Sequence, residues 1–570
     1  MKCRFLIGLL LLVPILSGAQ NPKLAPGLEK MPSGQNVSVI VQFKSLPQAG
    51  KTNVVRVANA KTSAQLSVIN AVKAVVPASS LAALAADATV AYVSPDRKVH
   101  GELNNAAPGV LANYAWGLGL DGTQVGVAVI DSGIHQVDDL GQLASNSRIR
   151  ASFDYSGDGL DDGYGHGTHV AGIIGGNGLD SNCSVCDVSI KGIAPNVDLI
   201  SFRVLNNAGE GAESGVIQAI QDAIRLKATY NIRVINLSVG RPVFESYKQD
   251  PLCLAVEQAW KAGIVVVVSA GNDGRDNSFG TGGYGTIESP ANDPYVITVG
   301  AVNSKGTPDR ADDVMTSYSA RGPTAIDHIV KPDLVAPGNR VVSLYEPGLL
   351  EAQYPQNDVP RSYYQANTAA TPSSSYFMLS GTSMAAGMVS GAAALMIQND
   401  VTLTPDQIKA RLMKTAYKQL PRYVTVIDSD QTFNVQSDTF TVGAGYLDIQ
   451  AALQNKEKAL GIAKSPTAIY DTSSGNVYFM ADPTTPWGAT GMLKANAGSS
   501  APPTPWDPNT VWGSDAFVAG TSPSANSAMW GSSAMWGNSA MWGNSAMWGN
   551  SAMWGNSAMW GNQITITGEN

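Results

Sequence analysis

Val125-Gly-Val-Ala-Val-Ile-Asp131 and Gly263-Ile-Val-Val-Val-Val-Ser269 are the stretches that decide the fold. Each is a continuous apolar run, not an alternating one, which is typical of strands buried on both faces of a parallel sheet. Helical patterns over 214–227 and 252–261 separate runs of this kind. The sequence therefore predicts an α/β domain with a doubly wound, mainly parallel sheet, to which we assign residues 105–455.

The composition limits what else the chain can be. Its 570 residues are too many for one compact domain, and a hydrophobic fraction of 44% excludes global disorder. Acidic residues (45) outnumber basic ones (37), giving a net charge of −8, so the basic stripe of a nucleic-acid-binding protein is not expected.

Residues 1–19 have the pattern of a secretory signal peptide. Lys2 and Arg4 precede an apolar run over 5–16, and small residues follow at 17–19. The run is shorter than the ~20 residues that span a bilayer, and no later stretch is long and apolar enough to do so. We predict a secreted protein, extracellular or associated with the cell surface.

Residues 20–104 are predicted to form a small α+β domain. Strand patterns cover 37–43 and 89–94, and helix-like patterns cover 63–75 and 79–86.

Beyond residue 455 the pattern weakens. Residues 456–523 are rich in proline near their end and are predicted to be a linker. Residues 524–570 repeat Ser-Ala-Met-Trp-Gly-Asn with tryptophans spaced by six. An even spacing would place every Trp on one face of a strand, so repeated β structure and a disordered low-complexity tail are both open.

Three segments of the α/β domain have residues suited to catalysis: Val129-Ile-Asp131-Ser-Gly133, Gly165-His-Gly-Thr-His-Val-Ala-Gly172 and Ser380-Gly-Thr-Ser-Met-Ala-Ala-Gly387. Taken alone, each has a structural explanation: Asp131 as a turn or capping residue, His166 as a packed or capping residue, and Ser383 as a helix cap. Together they supply a serine hydroxyl, an imidazole to take its proton and a carboxylate to orient the imidazole. No Gly-x-Ser-x-Gly elbow surrounds Ser383, which argues against a lipase-like hydrolase.

In the order Asp, His, Ser, these segments resemble the subtilisin-like serine peptidases over about residues 116–452. The resemblance implies that Asp131 orients His166, that His166 is the general base and that Ser383 is the nucleophile. Asn272, in Ser269-Ala-Gly-Asn-Asp-Gly274, matches the side-chain donor of the oxyanion hole. Further matching motifs are Gly192-Ile-Ala-Pro195, Val234-Ile-Asn-Leu-Ser238, Val296-Ile-Thr-Val-Gly-Ala301, Ser319-Ala-Arg-Gly-Pro323, Lys331-Pro-Asp-Leu-Val-Ala-Pro-Gly338 and Gly443-Ala-Gly-Tyr-Leu-Asp448.

The small domain at 20–104 in turn resembles the family's inhibitor-type propeptide, down to Val90-Ala-Tyr-Val-Ser-Pro-Asp96. The resemblance implies a zymogen whose own propeptide inhibits it until self-cleavage, somewhere between about His100 and Asn113.

The resemblance also places residues for substrate binding. Gly209, Gly211, Leu237 and Ser238 would line the cleft as backbone edges for an extended peptide. Glu288 falls near the floor of the first specificity pocket. It either favours Lys or Arg at the cleaved position or is a surface residue with a local hydrogen bond.

No cofactor is needed for this chemistry, although many family members bind structural calcium. Asp154, Asp158, Asp161 and Asp162 are candidate oxygen donors. We assign no calcium ligands, because an insertion at 177–189 replaces the family's usual turn.

The cysteines and one histidine leave alternatives. Removal of residues 1–19 leaves Cys183, Cys186 and Cys253. Cys183 and Cys186 could pair as a disulfide or bind a metal, with Cys253 left over. His169, three residues after His166, is structural by resemblance, and a zinc site would lack a third ligand.

These patterns predict a secreted, self-processing serine endopeptidase acting on proteins or peptides. The alternative is a surface-attachment protein on a peptidase scaffold, which binds a surface or itself through the Trp-Met repeats, since exposed apolar patches mark interaction sites.

Overall fold

The computed structural model divides into two compact units, Met1–Val99 and His100–Asn570. The residues that it describes are 21, 23–25, 28, 31–32, 34–45, 61–66, 70–95, 103–141, 146–278, 280–366, 368, 370–428, 431–471, 476–487, 508–512 and 568–569. The predicted signal peptide and residues 513–567, which contain the Trp-Met hexapeptides, lie outside them. Within the described residues, no helix is long and apolar enough to cross a membrane.

The first unit is an antiparallel sheet with one short helix. Its elements are β1 (Asn36–Phe43), β2 (Lys61–Leu66), β3 (Ala71–Pro77), α1 (Leu81–Ala86) and β4 (Val90–Pro95), with strand order β2-β3-β1-β4. The helix predicted over 63–75 is wrong, because β2 and β3 occupy most of the described residues of this stretch. Val72, Ala74 and Val76 are buried while Lys73 and Val75 are not, and this period of two fits a strand.

The second unit is built on an eight-stranded, mainly parallel sheet, as predicted. Its strand order is β11-β10-β9-β8-β5-β7-β6, with β12 also pairing with β10, and only the β10–β11 pair is antiparallel. These strands are β5 (Gly126–Asp131), β6 (Ile149–Asp154), β7 (Asp198–Arg203), β8 (Ile232–Leu237), β9 (Val265–Ser269), β10 (Ile297–Asn303), β11 (Val314–Met315) and β12 (Leu334–Pro337). Strands β5 and β9 are buried at every position, which explains their uniformly apolar sequences.

Smaller sheets flank this one. A three-stranded sheet contains β13 (Val341–Leu344), β14 (Asp358–Pro360) and β15 (Pro372–Leu379), and two hairpins contain β16 (Tyr423–Asp428) with β17 (Gln431–Gln436) and β18 (Thr467–Asp471) with β19 (Asn476–Met480).

The helices of the second unit are α2 (Leu103–Gly109), α3 (Ala112–Gly117), α4 (His166–Gly175), α5 (Glu213–Tyr230), α6 (Pro251–Lys261), α7 (Leu349–Gln353), α8 (Thr382–Asn399), α9 (Pro405–Thr415), α10 (Thr439–Val442), α11 (Ile449–Gln454) and α12 (Pro508–Trp512). Helix α8 is buried from Thr382 to Ile397 and packs against α4 and strands β8, β9 and β10. Helix α9 begins with a capping box, in which Thr404 and Gln407 exchange hydrogen bonds.

Part of the segment predicted as a linker packs on this unit. Phe479 of β19, Trp487, Val511 and Trp512 form an apolar cluster with Phe440 of α10. The Trp512 ring meets those of Trp487 and Phe479 edge to face, with centroids 5.3 and 6.0 Å apart.

The insertion at 177–189 contains a disulfide. Cys183 and Cys186 are bonded, so the disulfide alternative for this pair is the one found. Cys253 is buried in α6 as a free thiol, and burial raises its pKa well above the ordinary value.

Candidate active site

The three sequence segments meet at the carboxyl edge of the parallel sheet. Asp131 is the last residue of β5, His166 is the first residue of α4, and Ser383 is the second residue of α8. The side chains of Asp131 and His166 are joined by a hydrogen bond of 2.7 Å between Oδ1 and Nδ1. Since α4 and α8 pack against each other, the nucleophile candidate and the imidazole start neighbouring helices.

The environment of His166 suits a base. The ring is almost completely buried, which lowers its pKa, but the charge and hydrogen bond of Asp131, helped by Asp162, outweigh burial and raise the pKa above the ordinary value. With its proton on Nδ1 facing Asp131, the ring leaves Nε2 as an acceptor for a hydroxyl proton.

Asp162 organises the turn before His166. Its Oδ1 accepts hydrogen bonds from Ser132 Oγ (2.8 Å) and Gly165 N (2.8 Å), and its Oδ2 accepts from Thr168 N (2.8 Å) and Thr168 Oγ1 (2.7 Å). Ser132 follows Asp131, so this carboxylate ties the acid segment to the histidine segment. This role is not among those expected for Asp162 from its sequence, where it is a candidate calcium donor; its spacing of four residues from His166 is the signal that could have indicated it.

The surroundings of Ser383 fix the start of α8. Its Oγ donates a hydrogen bond of 3.4 Å to Ser238 O, and Ser238 Oγ donates to Ser383 O at 3.1 Å. Asn236 Nδ2 donates to Ser238 Oγ, and Ser390 Oγ donates to Asn236 Oδ1, both from buried positions. A chain of hydrogen bonds therefore links β8 to the nucleophile's own turn.

Asn272 is held with its amide group oriented. Its Oδ1 accepts hydrogen bonds from Thr382 N (2.9 Å) and Thr382 Oγ1 (3.1 Å). This fixes the carbonyl end of the amide towards α8 and leaves the Nδ2 hydrogens as donors. The backbone N–H of Ser383, in the first turn of α8, adds a donor without an intrahelical partner.

The side chain of Glu288 packs closely against two glycines. A Cβ on Gly240 would come within 2.1 Å of Glu288 Oε2, and one on Gly271 within 2.7 Å of Cγ. Glu288 is 9% exposed, which excludes the surface interpretation. Burial, with a smaller contribution from the charge of Asp273, raises the pKa of Glu288 to about 8.

The four residues predicted to line the substrate cleft lie in different local structures. Gly211 pairs with Leu205 in a short bridge, and Gly209 (φ +77°) lies in a turn where a Cβ would meet the Tyr164 ring at 2.5 Å. Ser238 contacts Ser383 as described, whereas the Leu237 side chain is fully buried in the core. Leu237 therefore has only its main chain to offer a substrate.

His169 holds the sheet next to α4. Its Nε2 lies 3.1 Å from both Val341 O and Phe377 O, on strands β13 and β15. Burial, and then the charge of His166, lowers the pKa of His169 to about 3, so the ring is neutral and donates to one of these carbonyls. This contact supports the structural interpretation.

The four candidate calcium donors are hydrogen-bonded to separate groups and do not point at a common position. Asp154 accepts hydrogen bonds from nearby backbone groups, and Asp158 accepts one from Asn207 N at 2.9 Å. Asp161 lies 2.8 Å from His135 Nδ1, and Asp162 is occupied by the contacts given above. Among the described residues, one trio (His135, Asp161 and Glu346) has potential metal-binding atoms close together, but both imidazole nitrogens already face carboxylates, at 2.8 and 3.2 Å. No ligand set is assigned.

Comparison with known proteins agrees with this geometry. A sequence model of the Subtilase family matches residues 122–445. The chain is 33% identical to serine protease AprX of Bacillus subtilis (strain 168) over 407 residues, which cover 67% of this chain and 83% of the relative. It is 32% identical to subtilisin E of the same strain over 423 residues (73% and 90%), and 33% identical to subtilisin DY of Bacillus licheniformis over 353 residues (61% and 97%).

Proposed function

The chain belongs to the subtilase family and is a serine endopeptidase, and from this premise we propose that Asp131, His166 and Ser383 are its catalytic triad. The observation that supports the assignment is the buried 2.7 Å hydrogen bond between Asp131 and His166, beside the helix α8 whose second residue is Ser383.

The proposed reaction proceeds through an acyl-enzyme. His166 Nε2 takes the proton of Ser383 Oγ while the oxygen bonds to the peptide carbonyl carbon. The carbon–nitrogen bond then breaks, and His166 returns the proton to the departing amine. Water, activated by the same imidazole, hydrolyses the Ser383 ester. Asp131 keeps the imidazole oriented and stabilises its charged form in both halves.

Asn272 and the Ser383 N–H are proposed to stabilise the oxyanion. Donors that are already oriented avoid the cost of reorganisation when negative charge develops on the carbonyl oxygen. The two hydrogen bonds that Thr382 gives to Asn272 Oδ1 support such preorganisation.

A fluorophosphonate label tests the triad. We expect the purified enzyme to be labelled at Ser383 and to lose casein hydrolysis in proportion, while Ser383→Ala is neither labelled nor active. Ser214→Ala, at an exposed serine of α5, is the matched control and keeps its label on Ser383. Labelling of another serine, or normal hydrolysis by Ser383→Ala, would refute the assignment.

We also propose that the first specificity pocket selects Lys or Arg. A buried carboxylate offers a cation an opposite charge, and Asp273 adds to the negative potential. Matched peptides that differ only by Lys or Leu at the cleaved position test this preference; equal cleavage at alkaline pH would end it.

Processing forms a further part of the proposal: residues 1–19 direct export, and residues 20–104 are an inhibitory propeptide removed by the enzyme itself. The separate sheet and core of the unit Met1–Val99 support an independent propeptide domain. We expect the wild-type chain to yield a product beginning between residues 100 and 113, and Ser383→Ala to remain uncut there. Mapping the amino terminus of both secreted products by mass spectrometry checks this.

Attachment through the repeats at 524–570 stays a prediction. Deleting residues 524–562 should leave casein hydrolysis intact and abolish binding to a surface or to other copies.

A further inference from the structure

Two residues that follow the last Trp-Met hexapeptide in the chain lie in the peptidase unit. Gly568 and Glu569 are next to the segments that precede Ser383 and follow Asn272 in the chain. Glu569 is 2% exposed, and a buried carboxylate is costly unless it is paired and hydrogen-bonded.

Polar groups of the peptidase unit bind the Glu569 side chain. Its Oε1 accepts hydrogen bonds from Arg275 Nη2 (2.8 Å) and Ser317 N (2.9 Å), and also from Ser317 Oγ. Arg275 Nε donates to the same Ser317 hydroxyl at 2.7 Å. Burial removes water from the Glu569 carboxylate, and hydrogen bonds from a guanidinium, a hydroxyl and a backbone amide replace it.

The main chain of Glu569 is also bound, by the side chains of two asparagines. Its N–H donates to Asn339 Oδ1 (2.8 Å), and its carbonyl accepts from Asn339 Nδ2 (2.8 Å) and Asn303 Nδ2 (3.4 Å). Ser317, Asn339 and Asn303 are themselves at most 2% exposed. Three buried polar side chains that meet on one dipeptide make a site with defined chemistry.

The site also selects glycine before the glutamate. Gly568 has φ +67°, and a Cβ there would lie 2.4 Å from Arg340 Cγ and 2.5 Å from Ser380 Oγ. A side chain at this position is therefore excluded by both conformation and space.

The site borders the segment that contains Asn272. Gly274 N donates to Tyr318 O at 2.8 Å and Ala320 N donates to Gly271 O at 2.9 Å, so residues 317–320 run beside 271–274. Glu569 joins these two segments, because it binds Ser317 in one and Arg275, three residues after Asn272, in the other.

The site also borders the turn before the nucleophile. Gly381 N donates to Gly338 O at 2.8 Å, and Arg340 N donates to Ser380 Oγ at 2.7 Å. Asn339, which binds both polar groups of the Glu569 backbone, lies between these two anchors.

We propose that the peptidase unit has a binding site for its own Gly568-Glu569 segment, and that Glu569 is a positioning residue for the oxyanion hole. Bound there, the dipeptide holds the Asn272 segment and the Ser380–Ser383 turn in their catalytic arrangement. The effect on turnover rests on the proposed triad, whereas the binding of the segment does not.

Binding is tested without catalysis. The probe is a fluorescent peptide of residues 563–570, Gln-Ile-Thr-Ile-Thr-Gly-Glu-Asn, titrated by anisotropy into the full chain carrying Ser383→Ala and Glu569→Gln. We expect saturable binding to this double variant and much weaker binding to Ser383→Ala alone, whose site is occupied by its own segment. Probes with Gly568→Ala or Glu569→Gln should not bind. No binding of the natural probe to the double variant would overturn the site.

Turnover is tested in the active enzyme made from the full chain. Glu569→Gln should lower kcat by about tenfold with KM within about twofold, because a displaced oxyanion donor weakens the transition state and not the substrate complex. Adding the natural peptide should restore kcat, and the Glu569→Gln peptide should not. Asp222→Asn, which removes an acid paired with Arg225 on α5, is the matched control and should change neither constant.

Two results would overturn the positioning role even if the peptide binds. One is an unchanged kcat in Glu569→Gln. The other is a loss of kcat that matches a loss of active sites in burst titration and is not reversed by the peptide, since this indicates only unfolding.

Discussion

Glu288→Gln is the substitution that most sharply tests the proposed selectivity of the pocket. The pKa of Glu288 is raised from 4.5 to about 8, so ionising this carboxyl group in the free enzyme costs about 5 kcal/mol more than in water. A cationic substrate side chain restores part of this free energy when it binds. Removing one partner of a buried charge pair costs ~2–5 kcal/mol, or about 30-fold or more in kcat/KM.

The pH dependence follows from the same pKa. Below pH 8 the carboxyl group of the free enzyme is increasingly protonated, and at pH 6 about one molecule in a hundred carries the charge. A Lys side chain keeps its charge throughout this range. The ratio of kcat/KM for matched Lys and Leu peptides should therefore rise about tenfold per pH unit from pH 6 and level off above pH 8.

The assay measures this ratio for wild type and Glu288→Gln between pH 6 and 9.5. Dividing by the Leu peptide removes the titration of His166, which both substrates share. We expect a rising ratio in wild type and a low, flat ratio in the variant. The reasoning is refuted if the wild-type ratio is independent of pH or if the variant has the wild-type ratio at pH 9.

Further predictions concern single groups of the second unit. Asn272→Ala should lower kcat by about 100- to 1,000-fold with little change in KM, the magnitude known for the subtilisin asparagine, checked by steady-state kinetics normalised to titrated active sites. Asp162→Asn should destabilise the fold by about 2–4 kcal/mol, because an amide nitrogen would face hydrogen-bond donors; urea unfolding in a Ser383→Ala background measures this. Reducing the Cys183–Cys186 disulfide should leave kcat unchanged, since it closes a loop of only four residues; an assay with and without dithiothreitol checks it. Because the pKa of Glu288 is raised, the folded state binds more protons between pH 4.5 and 8, so stability falls as pH rises through this window. Glu288→Gln should remove that part of the fall in Tm between pH 5 and 9, again in the Ser383→Ala background.

The parallel sheet and the segments of the candidate triad could be predicted because their signals are local. Strands β5 and β9 show their burial in every residue, and the capping box at Thr404 shows the start of α9. Asp131 and His166 lie at the ends of such elements, where parallel strands bring side chains to one edge.

The contacts that join distant segments could not be predicted. Asp162 accepts from Ser132, which is 30 residues away in the chain. Glu569 accepts from Ser317 and Arg275, which are 252 and 294 residues away. Composition and periodicity contain no information about such pairs. Residues 63–75 show a different limit, since small and branched apolar residues fit either period until a neighbouring strand such as β1 decides.

The chain between Trp512 and Gly568 has both of its ends fixed to the same body, one by an aromatic cluster and one by a carboxylate. Connecting the Gly568-Glu569 segment to the body makes its binding a unimolecular step, with an effective concentration set by the length of the connection. The entropy of closing a loop grows with the logarithm of its length, so this concentration changes only slowly with the length of the connection. Repeats can thus be gained or lost with little effect on the anchor. A single cut within them has a large effect, because it turns the anchor into a separate ligand that dilutes away.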